Sequence, residues 1–322
     1  MALGNDSVIV EFIFLGLSSN PKLQVILFII FLLGYLIILT GNILIISITF
    51  TDTSLHTPMY FFLSNLSFLD ICFSTSTIPR MLRDFASKTK IISYAECATQ
   101  LYITLCFGET ECFLLAIMAY DRYLAICHPL HYTTIMSKVV CIKIAASTWI
   151  CGFLFSIIHV AFVLSLDFCG NNEINDFLCE VPEMLSMSCE NSIVLECITF
   201  VLGTIILMIP ITFILVSYIK IILSVLKITS SAGWRKTFST CGSHIIVVTM
   251  YYGSCMAAYV KPKSSLAPET DKVITIFYCI VTPVFNPIIY TLRNNDFKSA
   301  FLKIKRAKAL EKNVLISLDF PM

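Results

Sequence analysis

Charge is what this chain of 322 residues has least of: Asp, Glu, Lys and Arg together make up 13% of it, against about a quarter in a soluble domain. With 57% of the residues hydrophobic, too little polar chain is left to cover a water-soluble globule of this size. The charges nearly cancel to a net +1, which removes any global reason to expect nucleic acid or a strongly acidic partner. No internal repeat, low-complexity tract or soluble domain interrupts the chain, and the loops between apolar stretches are short. The first twenty residues lack the basic start and small-residue cleavage site of a secretory signal, so the first apolar stretch is expected to act as an uncleaved insertion signal.

What the chain does have is long apolar runs and a mean hydropathy of +0.85. Crossing a hydrocarbon core of about 30 Å takes about 20 mostly apolar residues in a helix. Seven stretches meet that length: Leu23 to Phe50, Pro58 to Pro79, Cys97 to Tyr120, Val139 to Leu164, Ile193 to Leu223, Phe238 to Val260 and Val273 to Leu292. The expected fold class is all-α integral membrane, a seven-transmembrane helix bundle spanning 23–292, preceded by an extracellular segment 1–22 and followed by a cytoplasmic tail 293–322. With the C-terminus inside, 14 of the 22 Lys and Arg fall on the cytoplasmic side, as positive-inside orientation requires. Asn5-Asp6-Ser7 is then a glycosylation acceptor on the outer end, while Asn65-Leu66-Ser67 lies within a span. The segment from Asp167 to Glu190 holds six acids and no Lys or Arg, as suits a translocated loop. After the last span Phe297, Ala300, Phe301 and Ile304 recur at helical spacing among Lys298, Lys303, Lys305 and Arg306, the pattern of a short amphipathic helix on the inner membrane surface.

Most of the 14 cysteines sit singly in apolar spans, where Cys behaves as a small buried hydrophobe. Cys97 lies instead at the outer start of the third span, and Cys169, Cys179 and Cys189 in the acidic outer loop, where an oxidising compartment favours disulfides of three possible connectivities. That loop has no CxxC and no His, which argues against zinc.

Ionisable groups inside a membrane are costly and mark candidate sites. Asp70 in the second span and Glu111 in the third, with Asn42 and Asn286, are candidates for an internal water or sodium site, or for a hydrogen-bonded structural cluster. Glu109 and Glu111 are two apart on a helix and point to different neighbours. Thr104, Leu105, Gly108, Glu109 and Cys112 form one stripe, which serves either as a cavity wall with an acidic anchor or as ordinary packing. Pro210, Pro283 and Pro287 interrupt spans and are expected to kink them. His244 in the sixth span reads as a packing residue or a switch.

At the inner end of the third span the chain runs Met118-Ala119-Tyr120-Asp121-Arg122-Tyr123-Leu124-Ala125-Ile126-Cys127 and on to His128-Pro129-Leu130-His131-Tyr132. This resembles the signature of the olfactory receptors, a branch of the rhodopsin-like G-protein-coupled receptors. The segments Leu55 to Ser67, Ser217-Tyr218, Phe238 to His244, and Pro283 to Tyr290 with Leu292-Arg293-Asn294 resemble further family motifs in the same order. Trp234 and Thr237 depart from the family pattern, with His131 and Phe285 as milder departures, and these put coupling strength or basal activity in question.

The resemblance implies a Cys97–Cys179 bridge and a Cys169–Cys189 bridge. It implies a receptor, not an enzyme, at the plasma membrane and in olfactory cilia, with no cofactor. Its partners would be a small volatile odorant, membrane lipid and the stimulatory olfactory G protein, whose activation raises cyclic AMP. By the same resemblance the odorant cavity would be lined by Thr104, Leu105, Gly108, Glu109, Leu202, Ile206, Tyr252, Cys255, Tyr259, Thr275 and Ile276. Glu109 would select a hydrogen-bond donor, or an amine if charged. Asp121, Arg122, Tyr123, Tyr218, Lys236, His244, Asn286, Pro287 and Tyr290 would carry activation and coupling. A retinal receptor is disfavoured because Val273 to Leu292 has no lysine, and the aminergic branch because Thr104 stands where it carries aspartate. A transporter would show repeats or paired broken helices, and a hydrolase a spaced acid pair, a Ser/His set or a metal motif; none is evident.

Overall fold

The computed structural model describes residues 11–168, 172–189, 193–226, 231–259, 268–293, 296–303 and 305–306, with backbone alone at 196, 231–240, 268–269 and 292–293. Long helices dominate: α1 (Pro21–Thr51), α2 (Pro58–Ala86), α3 (Tyr94–Cys127), a short α4 (Pro129–Ile135), α5 (Lys138–Leu164), a short α6 (Val181–Ser186), α7 (Ile193–Val225) and α8 (Ser231–Tyr259). The last span is α9 (Pro268–Ile276), a π-helical turn over Phe277–Val281, and α10 (Thr282–Arg293). Residues 296–303 are helical beyond it.

Local chemistry sets several of the starts. Asn20 caps α1 by accepting from the Lys22 N–H at 3.0 Å, with Pro21 in the first turn where its missing donor costs nothing. Ser93 and Glu96 form a reciprocal capping box on α3. Pro79 lies inside α2 without ending it, so that helix runs seven residues past the expected boundary. Pro283 leaves the Cys279 carbonyl without its usual donor, and the wide π turn sits just before it.

Six helices among the described residues are long and apolar enough to cross a membrane. The seventh, α8, packs against α3, α7 and α10; its Ser, Gly, Thr and Tyr residues dilute its apolar character. The outward faces of α1, α5 and α7 expose Ile, Leu, Val and Phe, as lipid allows and water would not. α3 is the central helix, touching α2, α5, α7 and α8. Close approach at two places depends on glycine. A Cβ on Gly152 of α5 would strike the Thr110 hydroxyl of α3, and one on Gly41 of α1 would come within 2.8 Å of the Pro287 ring.

One end of the bundle carries a small sheet that the sequence reading did not anticipate within its plain segment 1–22. β1 (Glu11–Phe14) pairs antiparallel with β2 (Ile91–Ser93) and parallel with β3 (Glu173–Ile174). Phe12 and Phe14 turn inward from β1 and join Ile92, Ile174 and Cys97 in a second core. Four residues are too few for periodicity to reveal, and their partners lie far along the chain. At the opposite end, Phe297 and Ala300 are buried against the bundle and Phe301 is exposed, so the tail helix docks on protein as well as facing outward.

Candidate functional site

Between α2, α3, α5, α7, α8 and the π turn lies a cavity with a mostly apolar wall and a few convergent polar groups, the make-up of small-molecule sites. Of the eleven expected lining residues it brings together Thr104, Leu105, Gly108, Glu109, Ile206, Cys255 and Tyr259. Leu202, Tyr252, Thr275 and Ile276 do not line it. Tyr252 points instead to α3, its hydroxyl donating to the Cys112 carbonyl at 2.9 Å, and the Thr275 hydroxyl lies 3.4 Å from Asp176 of the loop before α6. The wall is completed by Phe73, Glu111, Cys112, His159, Gly203, Leu207, Tyr251 and Tyr278. Of these, only Glu111 and Cys112 attracted attention in the sequence. His159 carried a readable signal as an ionisable residue deep in the fourth span. Its Nδ1 lies 3.4 Å from Glu109 Oε1.

Glu111 meets a different neighbour, Asn286 of α10, which also donates to both Asp70 oxygens at 3.2 and 3.1 Å. Asp70, Glu111 and Asn286 thus form one buried polar knot under the cavity. Asn286→Leu removes the one amide nitrogen that donates to both Asp70 oxygens, leaving Asn42 as a partner, and is expected to destabilise the protein by about 2 kcal/mol or more. Thermal unfolding of the purified variant checks this, and an unchanged midpoint would count against the knot as a stabilising element.

Three hydrogen bonds tie α8 to backbone carbonyls along one face of α3. Tyr251 donates to Gly108 O at 2.6 Å, Tyr252 to Cys112 O, and His244 Nε2 to Leu115 O at 3.1 Å. Each carbonyl accepts through its second lone pair. Because Nε2 of His244 faces a carbonyl it carries the proton, and Nδ1 accepts from the Tyr218 hydroxyl of α7 at 2.7 Å. Beyond this latch Arg122 is paired with Asp121, whose other oxygen accepts from Tyr132 of α4 at 2.7 Å. Tyr123 bonds His128 at 3.0 Å and lies beneath the Lys220 ammonium. Tyr290 is buried nearby with its hydroxyl unpartnered, and Pro287 packs on α1 at Gly41. The side chain of Lys236 lies outside the described residues, as do Asn5 and Cys169.

At the sheet end, Cys97 and Cys179 are disulfide-bonded, and Cys189 is in a disulfide as well. The loop they anchor lies over the bundle: Tyr278 donates to Glu180, and the Asp176 carboxylate accepts from the Phe177 N–H at 2.7 Å. Burial, with Glu183 nearby, pushes the Asp176 carboxyl up to about 7, against the opposing Phe177 bond. Among the described residues no group of His, Cys, Asp and Glu is arranged to hold a metal ion.

The olfactory receptor family profile matches residues 31–308. Olfactory receptor 2G3 of Homo sapiens is 47% identical over 96% of this chain and 100% of its own length, and olfactory receptor 5AR1 of Mus musculus 46% identical over 93% and 97%. The chain belongs to the olfactory receptor family. Squid rhodopsin shares the fold, with a TM-score of 0.69 at 20% identity over 89% of this chain and 86% of that one. This olfactory receptor is therefore a membrane-spanning G-protein-coupled receptor and not an enzyme, with an odorant as ligand and a G protein as partner.

Proposed function

We propose that this olfactory receptor binds a small volatile organic molecule in the cavity beside Glu109 and His159, and that binding activates the stimulatory olfactory G protein and raises cyclic AMP. The observation that carries the reading is the α8 latch. The helix whose Tyr251 and Cys255 wall the cavity also holds, through His244, the region around Arg122. A ligand wedged between α3 and α8 works against the bonds from Tyr251 and Tyr252, and the same displacement loosens His244 from Leu115 and Tyr218. An agonist acts only to the extent that it favours the loosened state over the latched one. Arg122, Tyr218 and Tyr290 then rearrange around an opened cleft that admits the G protein. In this reading residues 1–22 and Asn5 are extracellular, 23–292 form the receptor domain, and the basic tail 293–322 with Lys236 faces the G protein and the anionic inner leaflet. The site of action is the plasma membrane of olfactory cilia, and Asp70 with Glu111 holds water or sodium in the resting state.

The test is cyclic AMP in cells expressing the receptor with the stimulatory olfactory G protein, challenged with an odorant panel. Responses of the parent chain should vanish in Arg122→Ala at equal surface expression. An Arg122→Ala receptor that signals as well as the parent would refute the coupling assignment.

A further inference from the structure

The polar atoms around the cavity are unbalanced. Thr104 Oγ1, Glu109 Oε2, Glu111 Oε1 and His159 Nε2 are all buried without a hydrogen-bond partner, and all four residues line this one space. Buried polar groups are nearly always paired, so a convergent set of open ones marks where a ligand's own polar groups belong. The open atoms are acceptors: two carboxylate oxygens, a hydroxyl that also accepts, and an imidazole nitrogen whose ring partner Nδ1 faces Glu109. The wall offers few donors in return. It contains no Lys, Arg, Asn, Gln or Trp, and the hydroxyls of Tyr251 and Tyr278 are already spent on Gly108 and Glu180.

We propose that the Glu109–His159 pair is the anchor for the ammonium head of a small primary amine, and that cationic amines are the preferred odorant class of this receptor. This rests on the cavity being the odorant site. A primary ammonium presents three N–H donors and one positive charge, matching Glu109 Oε2, His159 Nε2 and Thr104 Oγ1 and supplying the counter-charge that the acid-rich wall lacks. Phe73, Tyr251 and Tyr259 make this part of the wall aromatic, which suits a cation, while Leu105, Ile206 and Leu207 receive a short hydrocarbon body. Gly203 keeps the imidazole open on that side, since a Cβ there would lie 3.5 Å from His159 Cε1 and 4.0 Å from Nε2. The absence of aspartate at Thr104 does not count against an amine. The acid stands five residues further along α3, about 7.5 Å deeper, where a shorter and smaller ligand reaches it.

An ester or ether brings only acceptors to this wall and can pair with no open atom except the Thr104 hydroxyl, leaving the Glu109, Glu111 and His159 acceptors stranded; an alcohol satisfies one of them. Such a site discriminates strongly, because a poor ligand strands the protein's own buried groups.

The experiment is ligand-induced thermal stabilisation of the purified full-length receptor with three probes of one skeleton: hexylamine, hexan-1-ol and hexyl methyl ether. Hexylamine is expected to bind more tightly than hexan-1-ol by on the order of 10- to 100-fold, with the ether weaker still. Glu109→Gln and His159→Gln should each erase most of that preference. Ile206→Trp, which fills the cavity, should abolish all three shifts. Equal shifts from the three probes, or an amine preference that survives Glu109→Gln, would overturn the amine assignment, as would no shift with any probe. Equal shifts that vanish in Ile206→Trp leave the cavity as the odorant site and sink only the amine. Shifts that persist in Ile206→Trp sink the cavity as well.

Discussion

Cys179→Ser is expected to leave little mature receptor at the cell surface and to lower the thermal midpoint of what can be purified by many degrees. The Cys97–Cys179 bridge closes a separation of 82 residues, worth about 4–5 kcal/mol in the chain-entropy description of the unfolded state. Both cysteines are fully enclosed in the second core with Phe12, Ile92 and Ile174. The Cys179 N–H also donates to Gln100 at 3.0 Å, so the loop is held to α3 by a covalent and a polar link at one point. Without the bridge, the loop is held only by noncovalent contacts: the Gln100 bond, the pairing of β3 with β1, and the docking of Glu180 on Tyr278 and Asp176 on Thr275. Surface labelling and thermal unfolding of Cys179→Ser, with Cys72→Ser as a comparison, provide the check. Cys72 is a free, half-buried thiol on α2 and its loss should change little. If the two variants behave alike, the tether does not hold the fold together.

His244→Ala is expected to raise cyclic AMP in the absence of odorant several-fold at matched surface expression. The ring joins three helices: α8, which carries it, α3 through Leu115 and α7 through Tyr218. Two hydrogen bonds at about 1 kcal/mol each amount to roughly a thirtyfold shift between latched and open states, if both exist only in the latched one. The alanine variant loses both bonds and keeps Arg122. Adding Arg122→Ala should return the signal to background, which separates release of a latch from a nonspecific rise. Unchanged basal signalling in His244→Ala would mean that the contact is ordinary packing, as a lone buried histidine in the sequence could equally suggest.

The architecture was legible because lipid imposes a simple rule on composition. Each span must satisfy its own backbone and present an apolar outside, and runs such as Leu23 to Phe50 announce that directly. The motif around Asp121-Arg122 and the motifs in the other spans resemble those of the olfactory receptors in the same order, and the family profile matches residues 31–308. Helix ends were less visible. Pro79 looked like a terminus but sits inside α2, since the chain beyond it still packs: Met81 and Phe85 are buried.

At the cavity, the stripe of Thr104, Leu105, Gly108 and Glu109 on α3 could be read from a period of three to four, because one helix dictates its own faces. How neighbouring helices rotate about their axes is not written in a single segment. Tyr251 and Tyr252 are adjacent in α8, and only the packing turns the first to the cavity wall and keeps the second off it. His159 could be noticed as an ionisable residue in the fourth span, but its pairing with Glu109, 50 residues away on a different helix, could not be read.

By itself, then, the sequence determined the solvent this protein lives in, the number of its spans, its family and the buried acids that demand an explanation. Tertiary structure alone decided which of those acids meets which partner: Glu109 pairs with His159 in the cavity wall, and Glu111 shares Asn286 with Asp70. It also decided that β1 joins a sheet. The division is physical, because burial in lipid is a property summed along each segment, whereas a hydrogen bond depends on two side chains arriving within about 3 Å of each other from separate elements.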